Sequence, residues 1–203
     1  RCLETRPYEV LVCDYHFEGQ GQTGSEWLAG LRRDGLLPLA TVVIMVTSES
    51  KYPMVADAAE TAIDWYLIKP HTAGDLAKRV VSARLRKRLL RPIHDAIAEG
   101  DFEGAGRDCM RRVKAREKHW VHAARLGAEV QLRLGKPQQA AELYHAVVEV
   151  RALPWARLGV ARAQIADKDL PQAKATLESL LADHSSYVDA YDVMGSLHIE
   201  QGH

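Results

Sequence analysis

The sequence predicts two architectures in series: an α/β half on a partial parallel sheet over residues 1–90, then an all-α half of stacked helix pairs over residues 91–203. Short apolar runs at residues 8–14, 41–46 and 65–68 alternate with stretches of helical pattern, the order produced by right-handed βαβ crossovers. Beyond residue 89 the alternation stops. Turn signals at Gly100, Gly135, Lys168 and Gly202 instead recur 35, 33 and 34 residues apart, the period of a helical repeat.

The totals exclude several classes of protein. With 27 basic and 27 acidic side chains among 203 residues, the chain as a whole has no bias toward nucleic acid or an anionic membrane. Apolar residues make up 47%, which supports an ordinary core and argues against disorder. Three cysteines (Cys2, Cys13 and Cys109), with no CxxC spacing, favour a reducing compartment over a disulfide framework. No apolar run reaches the roughly 20 residues that span a bilayer. Residues 1–6 are polar and read as no signal peptide, although a start on Arg leaves a leader or further upstream residues open. The expected location is the cytoplasm.

Each element of the first half has a local cause. Val10-Leu11-Val12-Cys13 is an apolar run ending on Asp14, and continuous apolar runs mark strands buried on both faces of a parallel sheet. Residues 16–24 form a glycine-rich loop. Ser25 is the expected cap of a helix that sets Trp27, Leu28 and Leu31 on one face, and Gly35 and Pro38 end it. The second strand ends on Thr47, and the alanine-rich stretch 52–61 is helical in tendency. The third strand ends on Lys69-Pro70, and Thr72 caps a helix to about residue 90. Three strand tips therefore carry a carboxylate, a hydroxyl and an ammonium to one sheet edge, where open α/β folds hold their chemistry. Taken singly, Asp14 also fits a turn residue, Thr47 a helix cap and Tyr66 plain packing.

Asp14, Thr47 and the run Tyr66-Leu67-Ile68-Lys69-Pro70 together resemble the CheY-like receiver domain of bacterial response regulators, a flavodoxin-like fold, over residues 1–90. The resemblance implies that Asp14 accepts a phosphoryl group from a sensor histidine kinase or phosphotransfer protein. It makes Thr47 the hydroxyl that binds the phosphoryl oxygen, Lys69 its counter-charge and Tyr66 the aromatic that changes rotamer. It also implies Mg²⁺, held by Asp14 and the backbone carbonyl of His16 together with an acidic pair from an earlier strand. That pair is not in this sequence, which starts just before the receiver's third strand; Asp14 and His16 alone are an incomplete site for a hard cation. The first strand here is then an exposed apolar edge: either the residues upstream have been removed, or another chain, such as a second copy, covers it. The loop after Asp14 is longer than the usual receiver loop and lacks its Met-Pro.

Residues 78–91 are strongly basic, with Leu76, Val80, Leu85 and Leu89 expected as the apolar stripe. Such a helix can meet nucleic acid or an acidic partner, but a solvated face explains it better. Small residues recur at Ala128, Ala161 and Gly195, with Tyr144 and Leu177 expected to fill the grooves behind them. This pattern resembles tetratricopeptide repeats: units of about 89–118, 119–153 and 154–186, then a lone helix from 187. Trp120 and Trp155 fall just ahead of the usual Trp position, and Ile93 stands where the first unit should have a small residue. The resemblance implies a concave face that binds a protein or peptide. His119 and His122 share a helix face without an evident third metal ligand. With no Ser-His-Asp order, HExxH or P-loop, the chain is not expected to be an enzyme. The sequence thus reads as a two-component response regulator that controls its repeat domain, with a phosphorylation-independent scaffold as the alternative.

Overall fold

Three β-branched runs form the sheet of the N-terminal unit: β1 (Val10–Asp14), β2 (Val42–Thr47) and β3 (Trp65–Ile68). All pairing is parallel in the order β1-β2-β3, with Asp14 opposite Val46 and Thr47 opposite Ile68. Every residue of β2 is buried, as the continuous apolar run requires. The computed structural model describes residues 3, 6, 8–17, 23–48 and 63–200, in two compact units, Arg1–His94 and Asp95–His203. The expected helix over 52–61 and the middle of the glycine-rich loop lie outside the described residues.

Alternation along the strands divides the core in two. Leu11, Cys13, Val43, Met45 and Tyr66 pack with Leu28 and Trp27 of helix α1 (Gly24–Arg33). Val10, Val42, Ile44, Val46, Trp65 and Leu67 pack with Leu76, Val80 and Ala83 of helix α2 (Ala73–Leu89). Helix α1 is capped by Thr23 and not by Ser25, which is buried inside its first turn. Thr23 has the extended backbone a cap needs, and its N–H donates to Glu26 Oε2 (2.7 Å) in a capping box. Thr72 caps α2 in the same way through Asp75.

The apolar stripe of α2 departs from the one expected. Leu85 and Leu89 are exposed, whereas Ala83, Arg86 and Lys87 turn inward. Arg86 Nη2 lies 2.6 Å from Asp64 Oδ1, and these side chains are 6% and 5% exposed. Lys87 Nζ is 3.4 Å from Asp64 Oδ2, which also accepts the Val43 N–H (2.9 Å). A buried carboxylate just before β3 has thus recruited two cations of the basic helix. Burial pushes the Lys87 ammonium below its usual range, with Asp64 partly offsetting it.

In the C-terminal unit, which begins inside helix α3 (Arg91–Ala98), every further element is a helix: α4 (Phe102–Lys114), α5 (Trp120–Arg133), α6 (Pro137–Val148), α7 (Pro154–Ala166), α8 (Leu170–Asp183) and α9 (Val188–Glu200). Close packing runs between successive members from α4 to α9. The connecting turns are equivalent: Gly100, Gly135 and Lys168 all have left-handed φ, at 82°, 68° and 66°, so glycine suits the first two. Ala128 and Ala161 are fully buried, and so are Tyr144 and Leu177. Tyr144 lies over Gly159, donates to Glu129 Oε1 (2.6 Å) and meets Trp155 edge-to-face. Gly195 is exposed, with nothing packed where a side chain would be.

Candidate functional site

The tips of the three strands are laced together by the backbone. Tyr15 N–H donates to the Val46 carbonyl (2.8 Å) and Lys69 N–H to the Thr47 carbonyl (2.7 Å). These bonds hold the residues after β1 and β3 against the end of β2. Across that end the Lys69 ammonium donates to Asp14 Oδ1 at 2.6 Å, both side chains being about half exposed (47% and 48%). The pair borders an open cleft of about 640 Å³ beside β1, lined among the described residues by Leu11, Val12, Cys13, Asp14, His16, Phe17, Trp27 and Lys69.

The four expected site residues divide between two faces. Asp14 and Lys69 stand in strand register with the α2 side, whereas Thr47 and Tyr66 follow Met45 on the α1 side. Thr47 is buried at the tip of β2, and Tyr66 is half-buried against the α1 core. The structure therefore joins Asp14 to Lys69 directly, sets Thr47 at the adjoining tip and keeps Tyr66 outside the cleft lining. His16 forms an isolated antiparallel bridge with Thr23, which closes the loop between them. Cys13 Sγ lies 3.3 Å from the Asp14 carbonyl, and burial, then the Asp14 charge, pushes its thiol up to about 11. It stays protonated at neutral pH and is no nucleophile.

One positioning residue escaped the sequence reading. Gly24, read there as the end of the glycine-rich loop, begins α1 directly beneath Asp14, and its N–H donates to the Tyr15 carbonyl (2.7 Å). A Cβ at this position would sit 2.3 Å from the Asp14 carbonyl oxygen. Helix α1 can approach the strand end this closely only with glycine here. The clue was its place between a strand-end acid and a capping box.

For Mg²⁺ the described residues offer too little. Among the described residues Asp14 is the one carboxylate lining the cleft, and it already binds Lys69. No group of three or more metal-ligating side chains occurs among the described residues. By themselves they do not make a site for a cation that needs six oxygen ligands. His119 and His122 lie with ring centroids 5.9 Å apart, without a third ligand among the described residues.

The basic helix is largely spent on structure. Arg86 and Lys87 hold Asp64, Arg84 pairs with Glu9 (2.7 Å), and Arg79 stacks 4.2 Å over Trp65. That leaves little of the stripe for a phosphate backbone. Among the described residues no helix is long and apolar enough to cross a membrane.

Comparison with known proteins bears on the N-terminal part of the chain. Over 78 residues, 38% of the chain, the sequence is 32% identical to Chemotaxis protein CheY of Pseudomonas aeruginosa and covers 60% of that protein. It is 28% identical over the same length to Chemotaxis protein CheY-3 of Vibrio cholerae, covering 58%. The chain thus spans about three-fifths of the length of the curated relatives it matches. No protein-family model matches. The N-terminal part is homologous to CheY-like receivers, and the helices of the C-terminal unit follow it.

Proposed function

We propose that this chain is a two-component response regulator in which phosphorylation of Asp14 changes what a tetratricopeptide array binds. The observation that carries the reading is the Lys69–Asp14 ion pair at the tips of parallel strands, within a stretch homologous to CheY. Half exposure lets a phosphodonor reach the carboxylate. One carboxylate oxygen attacks phosphorus, an O–P bond forms, and the bond to the donor breaks, its electron pair leaving with the imidazole or carboxylate of the donor. The new acyl phosphate carries about −1.5 to −2 charges. Lys69, already 2.6 Å from Asp14, pairs with that charge, and the hydroxyl of Thr47 turns to a phosphoryl oxygen. Thr47 shares a sheet face with Tyr66, so its movement reaches that ring through Met45.

The donor is a sensor histidine kinase or phosphotransfer protein, and the output is a protein or peptide on the concave face of the helices. The chain then acts as a cytoplasmic switch and not as an enzyme, consistent with its buried, unpaired Cys13 and Cys109. A coupling of about 1–3 kcal/mol would change partner affinity about 5–150-fold. In the test, full-length protein is incubated with acetyl phosphate, with and without Mg²⁺. Intact mass should show one added phosphoryl group in wild type and none in Asp14→Asn. Equal labelling of both proteins, or of neither, refutes the reading.

The incomplete ligand set for Mg²⁺ favours a second reading, a scaffold that works without phosphorylation. Partner binding unchanged by both phosphodonor and Asp14→Asn would select it.

A further inference from the structure

Two neighbouring grooves of the helical unit are chemical opposites. Along α4, Arg107, Arg111 and Lys114 follow one another at helical spacing beside a groove of about 520 Å³, whose far wall includes Gln131 and Lys136. Along α6, Glu142, His145 and Glu149 border a groove of about 470 Å³, whose far wall includes Gln164 and Asp167. The equivalent turns at Gly100, Gly135 and Lys168 give the correspondence. Arg107 maps onto Glu142, Lys114 onto Glu149, and Gln131 onto Gln164. The same surface thus occurs twice, with its charge reversed.

Local ion pairs cancel only part of these charges. Arg111 is held by Asp108 and Glu117, and Lys136 by Glu103 (2.7 Å). Arg107, Lys114, Glu142 and Glu149 are exposed and enter no salt bridge among the described residues. The groove walls between them are small or apolar, with Met110 in one and Ala141, Ala146 and Ala163 in the other.

We propose that this face is self-complementary and docks a second copy of the chain about a two-fold axis. Helices α4 and α6 each run antiparallel to α5 and so parallel to one another. A two-fold axis lying in the plane of the face and parallel to these helices lays α4 of one copy on α6 of the other, running in the same direction. Arg107 then opposes the partner's Glu142 and Lys114 the partner's Glu149, and symmetry repeats both pairs. A uniformly charged ligand would be attracted by one stripe and repelled by the other. A second copy satisfies both stripes and closes at two subunits. The inference does not depend on the chemistry of Asp14.

Sedimentation of the 203-residue chain without phosphodonor tests it. Wild type should dimerise at about 50 mM salt and dissociate as salt rises toward 0.5 M. The variant R107E/K114E has two acidic stripes and E142K/E149K two basic ones. Each alone should self-associate about 100-fold more weakly, and an equimolar mixture should form a one-to-one dimer. Circular dichroism shows that the variants, altered only at exposed positions, remain folded. A monomeric wild type at about 100 µM, variants that still dimerise alone, or a mixture that stays monomeric each overturns the proposal.

Discussion

Replacing Lys69 with Met separates the ion pair's part in stability from its part in signalling. At 2.6 Å two unit charges attract by about 1.6 kcal/mol in water. Half-exposed side chains return most of that through screening and lost rotamer freedom, leaving about 0.2–1 kcal/mol. For a unit of this size the loss corresponds to no more than about 8 °C in Tm. Arg86→Met is the control. Arg86 and Asp64 are 6% and 5% exposed at a similar distance, 2.6 Å, and removing one member of a buried pair costs about 3–5 kcal/mol. Lys87, 3.4 Å from the same carboxylate, keeps the cost toward the lower end. Chemical denaturation followed by circular dichroism should therefore rank K69M far milder than R86M. Yet K69M should lose the phosphodonor-dependent change in partner binding, because a neutral thioether cannot follow the new charge. If K69M unfolds as readily as R86M, or responds to phosphodonor like wild type, the assignment of Lys69 is wrong.

The helical unit offers two further tests. Gly159→Ala would place a Cβ 2.4 Å from the Tyr144 ring, which Glu129 and Trp155 hold in place, so we expect a loss of about 1–3 kcal/mol in urea titrations. Restored stability in G159A/Y144L would confirm overpacking, whereas a neutral G159A would contradict the ring's position. The Asp108 carboxyl is held below its usual range: burial acts against this, but hydrogen bonds from Arg112 and Arg111 outweigh it. Its folded-state value lies below the unfolded 3.8, so its contribution is present above that pH and is lost as pH falls through the folded value. The stability advantage of wild type over D108N should accordingly shrink below about pH 3.8, and an advantage independent of pH would exclude this cause.

Periodicity made the strands, α1 and the run of helices legible, because each obeys a local rule. The continuous apolar run of β2 and the left-handed turns near Gly100 and Gly135 are written within a few residues of chain. What stayed hidden depends on contacts across long separations. Asp64 gave no sign that it would bury itself against Arg86, 22 residues away, and that contact turned α2 until Leu85 and Leu89 faced solvent. Ser25 lost the cap to Thr23 because the loop closes through the His16–Thr23 bridge, a pairing that propensity alone does not encode. Asp14 and Lys69 were legible as strand tips, but their meeting needed the parallel register of all three strands.

The same register explains why one unit holds two carboxylate–cation pairs of opposite character. Asp64 stands at the entry to β3, where the sheet and α2 close over it; its oxygens are spent on Arg86, Lys87 and the Val43 N–H. Fixed on several sides, it can only hold structure. Asp14 stands at the exit of β1, the outer of the described strands, with Lys69 as its one ion-pair partner among the described residues. A pair with little binding energy of its own is easily re-formed around a larger anion, because little has to be broken first. Exposure and weak pairing at Asp14 are therefore compatible with the proposed phosphoryl-responsive role, whereas the fixed surroundings of Asp64 are not.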